Sequence, residues 1–223
     1  MRNPTTSTVS NERGFSLVEL LAVIGIIALI AAAGVPALKG ISGSTGRTGG
    51  INALMSALDQ TRSAAILSGV NAYLVFPDAS FSPGSGLDAQ NYVYRSYAIV
   101  RDANADLGET NLTTAQIQIG KWESLPAGIA MVSGSVTALP QTNLSLALPG
   151  SAAPSSVAVR VIGFNASGGL VDAAATNGIT VYEGRWDGSQ GVPARPNRIV
   201  DRITLNRFTG RATLAMATNS GAY

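Results

Sequence analysis

The sequence contains neither cysteine nor histidine among its 223 residues. Without cysteine the chain can form no disulfide and no thiolate metal site. Without histidine it lacks the commonest general base, the commonest zinc ligand and the usual partner of serine and cysteine nucleophiles. No glycine-rich phosphate loop follows a strand, and no pair of carboxylates has a catalytic spacing. We therefore predict a protein that is not an enzyme and needs no cofactor.

Charge is also scarce, since charged residues make up 13% of the chain, about half the usual share of a globular protein. The net charge of +2 predicts no general affinity for nucleic acid. Hydrophobic residues make up 46%, which is enough for one domain with a sizeable core in addition to one membrane segment.

The longest uncharged apolar run extends from Leu20 to Leu38. As a helix it would be about 28 Å long, close to the thickness of a bilayer core. Glu19 directly precedes it, and a carboxylate in lipid is costly unless it is paired. A secretory signal peptide cut after "AAAGVPA" (residues 31–37) is one alternative. A plain membrane anchor is another, but it would require neither Glu19 nor the preceding Gly14.

The stretch "RGFSLVELL" (residues 13–21) resembles the N-terminus of type IV prepilins and type II secretion pseudopilins. The resemblance implies that a prepilin peptidase cuts between Gly14 and Phe15, so that residues 1–14 are the leader. Phe15 would then be N-methylated. Glycine fits this position because it offers no side chain where a protease needs a bare backbone.

The resemblance also gives the apolar segment a role in assembly. Residues 15–38 would form a single-pass helix in the cytoplasmic (inner) membrane, with the head in the periplasm or outside. Glu19 would pair with the N-terminal ammonium of a neighbouring pilin or pseudopilin subunit, and Pro36 lies where such helices commonly carry a proline. Positive residues flank the run on both sides, so the orientation rests on the family.

Residues 39–50 follow the apolar run and contain five glycines. Each glycine inside a helix costs up to about 1 kcal/mol, so this segment is predicted to be a Gly/Ser-rich hinge. A helix held together by packing is the open alternative.

Helical periodicity resumes at residue 51 and ends near Gly69. The spacing predicts an amphipathic helix that packs against a sheet. Its apolar face comprises Ile51, Leu54, Leu58, Ala65 and Ile66.

Beyond Asn71 the sequence predicts strands and loops. Pro77 should end the first strand, and Gly210 should lie in a hairpin turn between the last two. The predicted fold is therefore α+β: a transmembrane helix and an amphipathic helix, followed by an antiparallel, pilin-like head over residues 51–223. The predicted strands are "NAYLVF", "YVYRSYAIV", "VAVRVIGF", "ITVYE" and the two in "DRITLNRFTGRATLAM".

The helix "ALMSALDQTRSAAILSG" (residues 53–69) resembles that of the H-type minor pseudopilins and related minor pilins, and three stretches that follow it are similar to that group as well. They are "LPAGI" (residues 125–129), "VIGFNASGGL" (161–170) and "LNRFTGR" (205–211). The chain would then join a type II secretion pseudopilus or a type IV pilus tip.

The loop "DANADLGET" places oxygen ligands at alternate positions, as a calcium loop does. Leu107 and Thr113 occupy the positions where an EF-hand needs glycine and glutamate. We predict no metal site, with calcium as the alternative to a solvated acidic turn; its ligands would be Asp102, Asn104, Asp106 and Glu109.

Six arginines and two aspartates lie between residues 185 and 211. Some related minor pilins bind DNA through a Gly-Arg-x-Arg motif near the C-terminus. Here Gly210 and Arg211 are followed by Thr213 in place of the second arginine. DNA capture through Arg207 and Arg211 is thus an alternative function, and ordinary solvated arginines are the simpler interpretation.

Tyr92, Tyr94 and Tyr97 could form a stacking platform for bases. On one strand, however, Tyr92 and Tyr94 would share a face and Tyr97 would point the other way. Packing in the core and at the sheet edge is the favoured interpretation.

Overall fold

The computed structural model describes residues 17–84, 86–104, 107–109, 116–151, 153–172, 178–194 and 199–218. Within these ranges, the side chains of residues 29–45, 199 and 216–218 lie outside the description. The chain divides into two units, residues 1–42 and 43–223.

The first unit contains the start of helix α1, which runs from Leu17 to Ser68. The rest of α1 belongs to the second unit, where residues 51–68 bury one face. Gly69 ends the helix with a left-handed φ of +68°, and its N–H donates to the carbonyl of Ala65 at 3.0 Å. A glycine in this conformation is a common helix terminator, so the predicted end of the helix is confirmed.

The second unit is built from α1, two antiparallel sheets and a short helix, α2 (Ser133–Thr137). The first sheet has the strand order β3-β2-β1-β6-β5. The second has the order β10-β9-β7-β4, and β8 pairs with β7 beside this path. The strands are β1 (Ala72–Phe76), β2 (Ser96–Asp102), β3 (Gln116–Ser124), β4 (Ile129–Met131), β5 (Gln141–Ala147), β6 (Pro154–Phe164), β7 (Gly178–Trp186), β8 (Gly191–Pro193), β9 (Ile199–Leu205) and β10 (Ala212–Thr218).

One apolar core joins the helix to both sheets. Residues with almost no exposed surface come from α1, from β1 and β6 of the first sheet, and from β7 and β9 of the second. Large buried side chains of this kind supply most of the favourable free energy of folding. The central members are Leu54, Leu58, Leu74, Phe76, Phe164, Ile179 and Ile203. The predicted α+β class with an antiparallel head is confirmed.

The last two strands form the predicted hairpin. β9 and β10 pair over seven residues without interruption. Gly210 lies in the turn with φ of +65°, and its N–H donates to the carbonyl of Asn206 at 2.7 Å. The prediction for Gly210 is therefore confirmed.

Two local predictions were wrong. The strand expected from Tyr92 begins only at Ser96, because residues 92–95 form a turn in which Tyr94 has a φ of +54°. Ile66, assigned to the buried face of the helix, is 43% exposed. The buried face is narrower than the apolar pattern, so Ile66 lies at its margin.

Candidate functional site

The first described turns of α1 carry apolar side chains on every side. All residues from 17 to 28 are exposed, and their large hydrophobic side chains range from 48% exposed at Val23 to 78% at Leu17. A helix that is hydrophobic all round requires cover from lipid or from other protein. The described part of the chain gives residues 17–28 no such cover.

Glu19 lies in the first turn of this segment and is exposed among those apolar neighbours. Once the surface is covered, its carboxylate would be in low dielectric and would need an opposite charge. Gly14 and Phe15 lie outside the described residues. Pro36 lies within α1, and its side chain is outside the description.

Across the described residues, the structure has no helix with the length and apolar character needed to cross a membrane.

The glycine-rich segment is helical, since α1 continues through residues 40–50. The glycines let a loop approach the helix backbone closely. A Cβ placed on Gly50 would lie 3.2 Å from Cγ2 of Ile129, and one on Gly49 would lie 3.8 Å from Cγ of Pro126. Both contacted residues belong to the "LPAGI" stretch. Packing thus offsets the low helix propensity of glycine, which is the alternative that the sequence left open.

An ion pair links the same segment to the second sheet. Arg47 Nε lies 2.5 Å from Oδ2 of Asp201, and the Arg47 side chain is 21% exposed. The Nε contact is not aligned as a hydrogen bond, whereas Nη2 donates to Oδ1 at 3.4 Å. Asp201 is 1% exposed, so Arg47 supplies the charge that its buried carboxylate requires.

Arg62 joins α1 to two turns, one in "VIGFNASGGL" and one in "LNRFTGR". Its Nε donates to the carbonyl of Thr209 at 2.7 Å and to that of Gly168 at 3.1 Å. The turns themselves are in close contact, because a Cβ on Gly210 would lie only 2.1 Å from the Gly168 carbonyl oxygen. A side chain at position 210 would therefore force the two turns apart.

The contacts of Arg47 and Arg62 hold α1 to the second sheet and to two turns, whereas residues 17–28 are exposed. A family model described as the prokaryotic N-terminal methylation motif matches residues 9–35. The chain carries the signature of type IV prepilins and pseudopilins. Proteins defined by this signature are structural subunits. Neither a curated protein nor a solved structure matches the chain.

The prepilin signature includes Gly14, Phe15 and Glu19 and ends one residue before Pro36. It therefore covers all of the exposed apolar segment at residues 17–28. The roles of these four residues in cleavage, methylation and assembly remain predictions.

The acidic loop lies elsewhere in this prepilin-like chain, and its glutamate already has a partner. Glu109 forms a two-point ion pair with Arg101 and accepts the backbone N–H of Asn104 at 2.7 Å. These hydrogen bonds, chiefly that from Arg101, lower the pKa of Glu109. The Asn104 amide donates to the carbonyl of Ser68, and the Asp102 carboxylate accepts the Tyr73 hydroxyl. Among the described residues no group of acidic side chains is arranged for a metal, and Asp106 lies outside them, so the calcium alternative remains a prediction.

Two of the six C-terminal arginines, Arg195 and Arg198, lie outside the described residues. Arg202, Arg207 and Arg211 are exposed. The Arg207 guanidinium lies 4.5 Å from the centre of the Phe208 ring, and Phe208 is itself 74% exposed. The structure places Arg207 and Arg211 at opposite ends of the turn between β9 and β10.

The three tyrosines do not share a strand. Tyr94 and Tyr97 are buried, and the Tyr94 ring packs edge-on against Trp186 at 4.6 Å. The Tyr97 hydroxyl donates to Glu123 at 2.7 Å, and burial together with this carboxylate raises the pKa of Tyr97. Buried packing of these two rings agrees with the favoured interpretation.

Sequence reasoning missed Arg47, Arg62 and Asp201. Asp201 stands between apolar residues in "IVDRI", on the alternation that faces the core, so a buried charge could have been suspected from its position. Its partner could not be inferred from the sequence, because Arg47 and Asp201 are 154 residues apart. Arg62 gave no local signal, since a lone arginine on a helix is usually solvated.

Proposed function

We propose that the chain is a minor pseudopilin or pilin subunit that is cut after Gly14, methylated at Phe15 and assembled with other pilin-like subunits. The prepilin signature at residues 9–35 carries this proposal. The apolar side chains exposed around Glu19 support it, because they are the surface that such an assembly would cover.

In this proposal the segment 15–38 spans the cytoplasmic membrane before assembly. The head, residues 51–223, lies in the periplasm or outside and presents its surface to other subunits. Glu19 then pairs with the N-terminal ammonium of a neighbour in a setting from which water is excluded, where an unpaired carboxylate is costly.

The mature N-terminus tests the proposal directly. After co-expression with a prepilin peptidase, mass spectrometry should find a methylated Phe15 as the first residue. Gly14→Val should block cleavage, because a β-branched side chain occupies the space that the protease needs. Ser10→Val, which adds the same side chain within the leader, is the matched control and should be processed normally.

A first residue beyond Ala32 would instead identify an ordinary signal peptide and reject the proposal. Normal processing of Gly14→Val would reject it as well.

A second candidate function is DNA capture by the same subunit, favoured by the exposed guanidinium groups of Arg207 and Arg211 at one turn. If both contact phosphates, replacing each with Gln should reduce the slope of log affinity against log salt by about one unit. Failure of the wild-type protein to retain DNA at low salt would eliminate this function.

A further inference from the structure

A groove in the head lies where the first sheet becomes irregular. Its volume is about 540 Å³, and β3 lines one side of it while residues 147–151, at the end of β5, line the other. This volume is in the range of small-ligand sites. The residues that matter below are Tyr92, Gln118, Lys121, Trp122, Leu148 and Ser151.

A bulge of three residues in β3 shapes this groove. Tyr97 pairs with Glu123, but two residues later on β2 Ile99 pairs with Ile119, so three residues of β3 stand opposite one of β2. Gly120, with φ of +84°, allows the extra turn of the backbone. Such bulges redirect side chains and are common beside functional sites. Here the bulge brings Lys121 and Trp122 to the groove.

The Trp122 ring is held in place. Its Nε1 donates to the carbonyl of Ala147 at 2.8 Å, and Phe81 packs against it with ring centres 5.2 Å apart. Tyr92 and Leu148 line the groove with it. A fixed aromatic ring beside apolar neighbours suits a ligand with a flat apolar face.

The charge in the groove has one sign. Lys121 is exposed and is the only lysine in residues 51–223. No carboxylate is among the described residues that line the groove. The ammonium is therefore available to an anionic group of a ligand.

Hydrogen-bonding groups are present as well. Gln118 Oε1 is buried without a hydrogen-bond partner among the described residues, while its Nε2 donates to the carbonyl of Gly120 at 3.3 Å. An unpaired buried acceptor costs free energy. A ligand hydroxyl that reached it after a small rotation of the amide would remove that cost. The Ser151 hydroxyl donates to the carbonyl of Ala153 at 3.2 Å, so its oxygen can accept a hydrogen bond from a ligand.

We propose that this groove binds an anionic sugar of the hexuronate class. The pyranose ring would lie against Trp122 with its apolar C–H face, its carboxylate would pair with Lys121, and a hydroxyl would donate to Gln118. This site is independent of the prepilin signature and of the assembly proposed above.

Binding can be followed on the full chain in lipid nanodiscs. The chain has two tryptophans, so in a Trp186→Phe background the fluorescence reports Trp122 alone. A disaccharide of glucuronic acid should give a saturable change, and a neutral glucose disaccharide should bind about tenfold more weakly, since one charge-assisted hydrogen bond is lost. Lys121→Gln should weaken binding of the uronate about tenfold, and Arg202→Gln, the same charge change at an exposed position of β9, should not.

A second measurement guards against a disturbed Trp186→Phe variant. The chain contains two lysines, Lys39 and Lys121, so ¹³C-dimethylation gives one NMR signal for each lysine in addition to that of the N-terminal amine, and it preserves the charges. The uronate should shift the Lys121 signal and leave that of Lys39 unchanged. The proposal is overturned if neither the fluorescence of the Trp186→Phe protein nor the NMR of the wild-type protein shows a saturable change, and also if Lys121→Gln leaves the affinity unaltered. Tighter binding of an acidic dipeptide than of the uronate would identify a site for peptide carboxylates and would also overturn it.

Discussion

Residues 17–28 and residues 51–68 belong to the same helix, α1, and both are rich in apolar side chains. In the first region every described residue is exposed; in the second, Leu54, Leu58 and Ala65 have 1% or less of their surface exposed. The second region owes its burial to periodicity, because one face meets the sheets of its own chain. The first has no such periodicity, and the described part of the chain does not cover it.

Removing the charge in the first region should have the largest effect. Glu19→Ala should insert into membranes at least as well as wild type, because a carboxylate leaves the apolar surface. Incorporation into filaments should nevertheless fail or drop strongly, because the neighbour's ammonium loses its partner. Glu19→Gln, which keeps the shape, should behave like Glu19→Ala. Crosslinking to partner subunits, with insertion measured in parallel, checks this; wild-type crosslinking by both variants would leave Glu19 without a role in assembly.

A matched pair of substitutions to alanine, one in each region, compares the two regions directly. Leu58→Ala should lower the free energy of unfolding of the head by about 3 kcal/mol, because a buried side chain is replaced by a cavity. Ile24→Ala, at a position 54% exposed, should leave it unchanged within about 0.5 kcal/mol. Denaturant unfolding of the full chain, followed by the tryptophans of the head, measures both. Equal losses would mean that the first region also packs against the head.

The next effect concerns the glycine-rich segment between the two regions. Arg47→Ala should destabilise the head by about 3 kcal/mol, because the buried Asp201 carboxylate loses its counter-charge. Arg207→Ala removes an exposed arginine and is the control, with a change expected within about 0.5 kcal/mol. The same unfolding experiment applies. If Arg47→Ala matched the control, Asp201 would be solvated or otherwise paired.

The smallest expected effect is a dependence of the head's free energy of unfolding on pH. Burial disfavours ionisation of Asp78, but hydrogen bonds from Ser80 and Arg160 outweigh it and hold the pKa of Asp78 below its ordinary value of 3.8. A lowered folded pKa stabilises the head above that ordinary value, and this contribution is lost as the pH falls through the folded pKa. Asp78→Asn should remove this dependence; Asp59→Asn, on the exposed surface of α1, should not. Unfolding measured between pH 5 and pH 2 decides, and identical curves for Asp78→Asn and wild type would contradict the assignment.

The sequence predicted the parts of the fold that depend on local pattern. The strands near Leu74 and Ile203 follow from alternation, and Gly69 and Gly210 from the backbone conformations that helix ends and tight turns need. The prepilin signature is likewise local. The turn at Tyr94 was missed because a positive φ is rare for a residue with a side chain.

The contacts that hold α1 to the head were not predictable in this way. Arg47 with Asp201, and Arg62 with Thr209, join residues 154 and 147 positions apart. Nothing in either neighbourhood specifies the other. The helical state of residues 40–50 depended on such contacts as well, because glycine alone favours neither outcome strongly enough.

The attachment of α1 at Arg47 and Arg62 also fixes an order of events during synthesis. The signature at residues 9–35 leaves the ribosome well before Asp201 and the Thr209 carbonyl, which lie 154 and 147 residues after the arginines that contact them. Neither arginine can make its contact before the β9–β10 hairpin exists, because contacts between residues far apart in sequence form only when the intervening chain has been made. The segment that carries the signature is therefore synthesised while the head is still unfinished, and formation of the β9–β10 hairpin is the step that attaches the helix to the head.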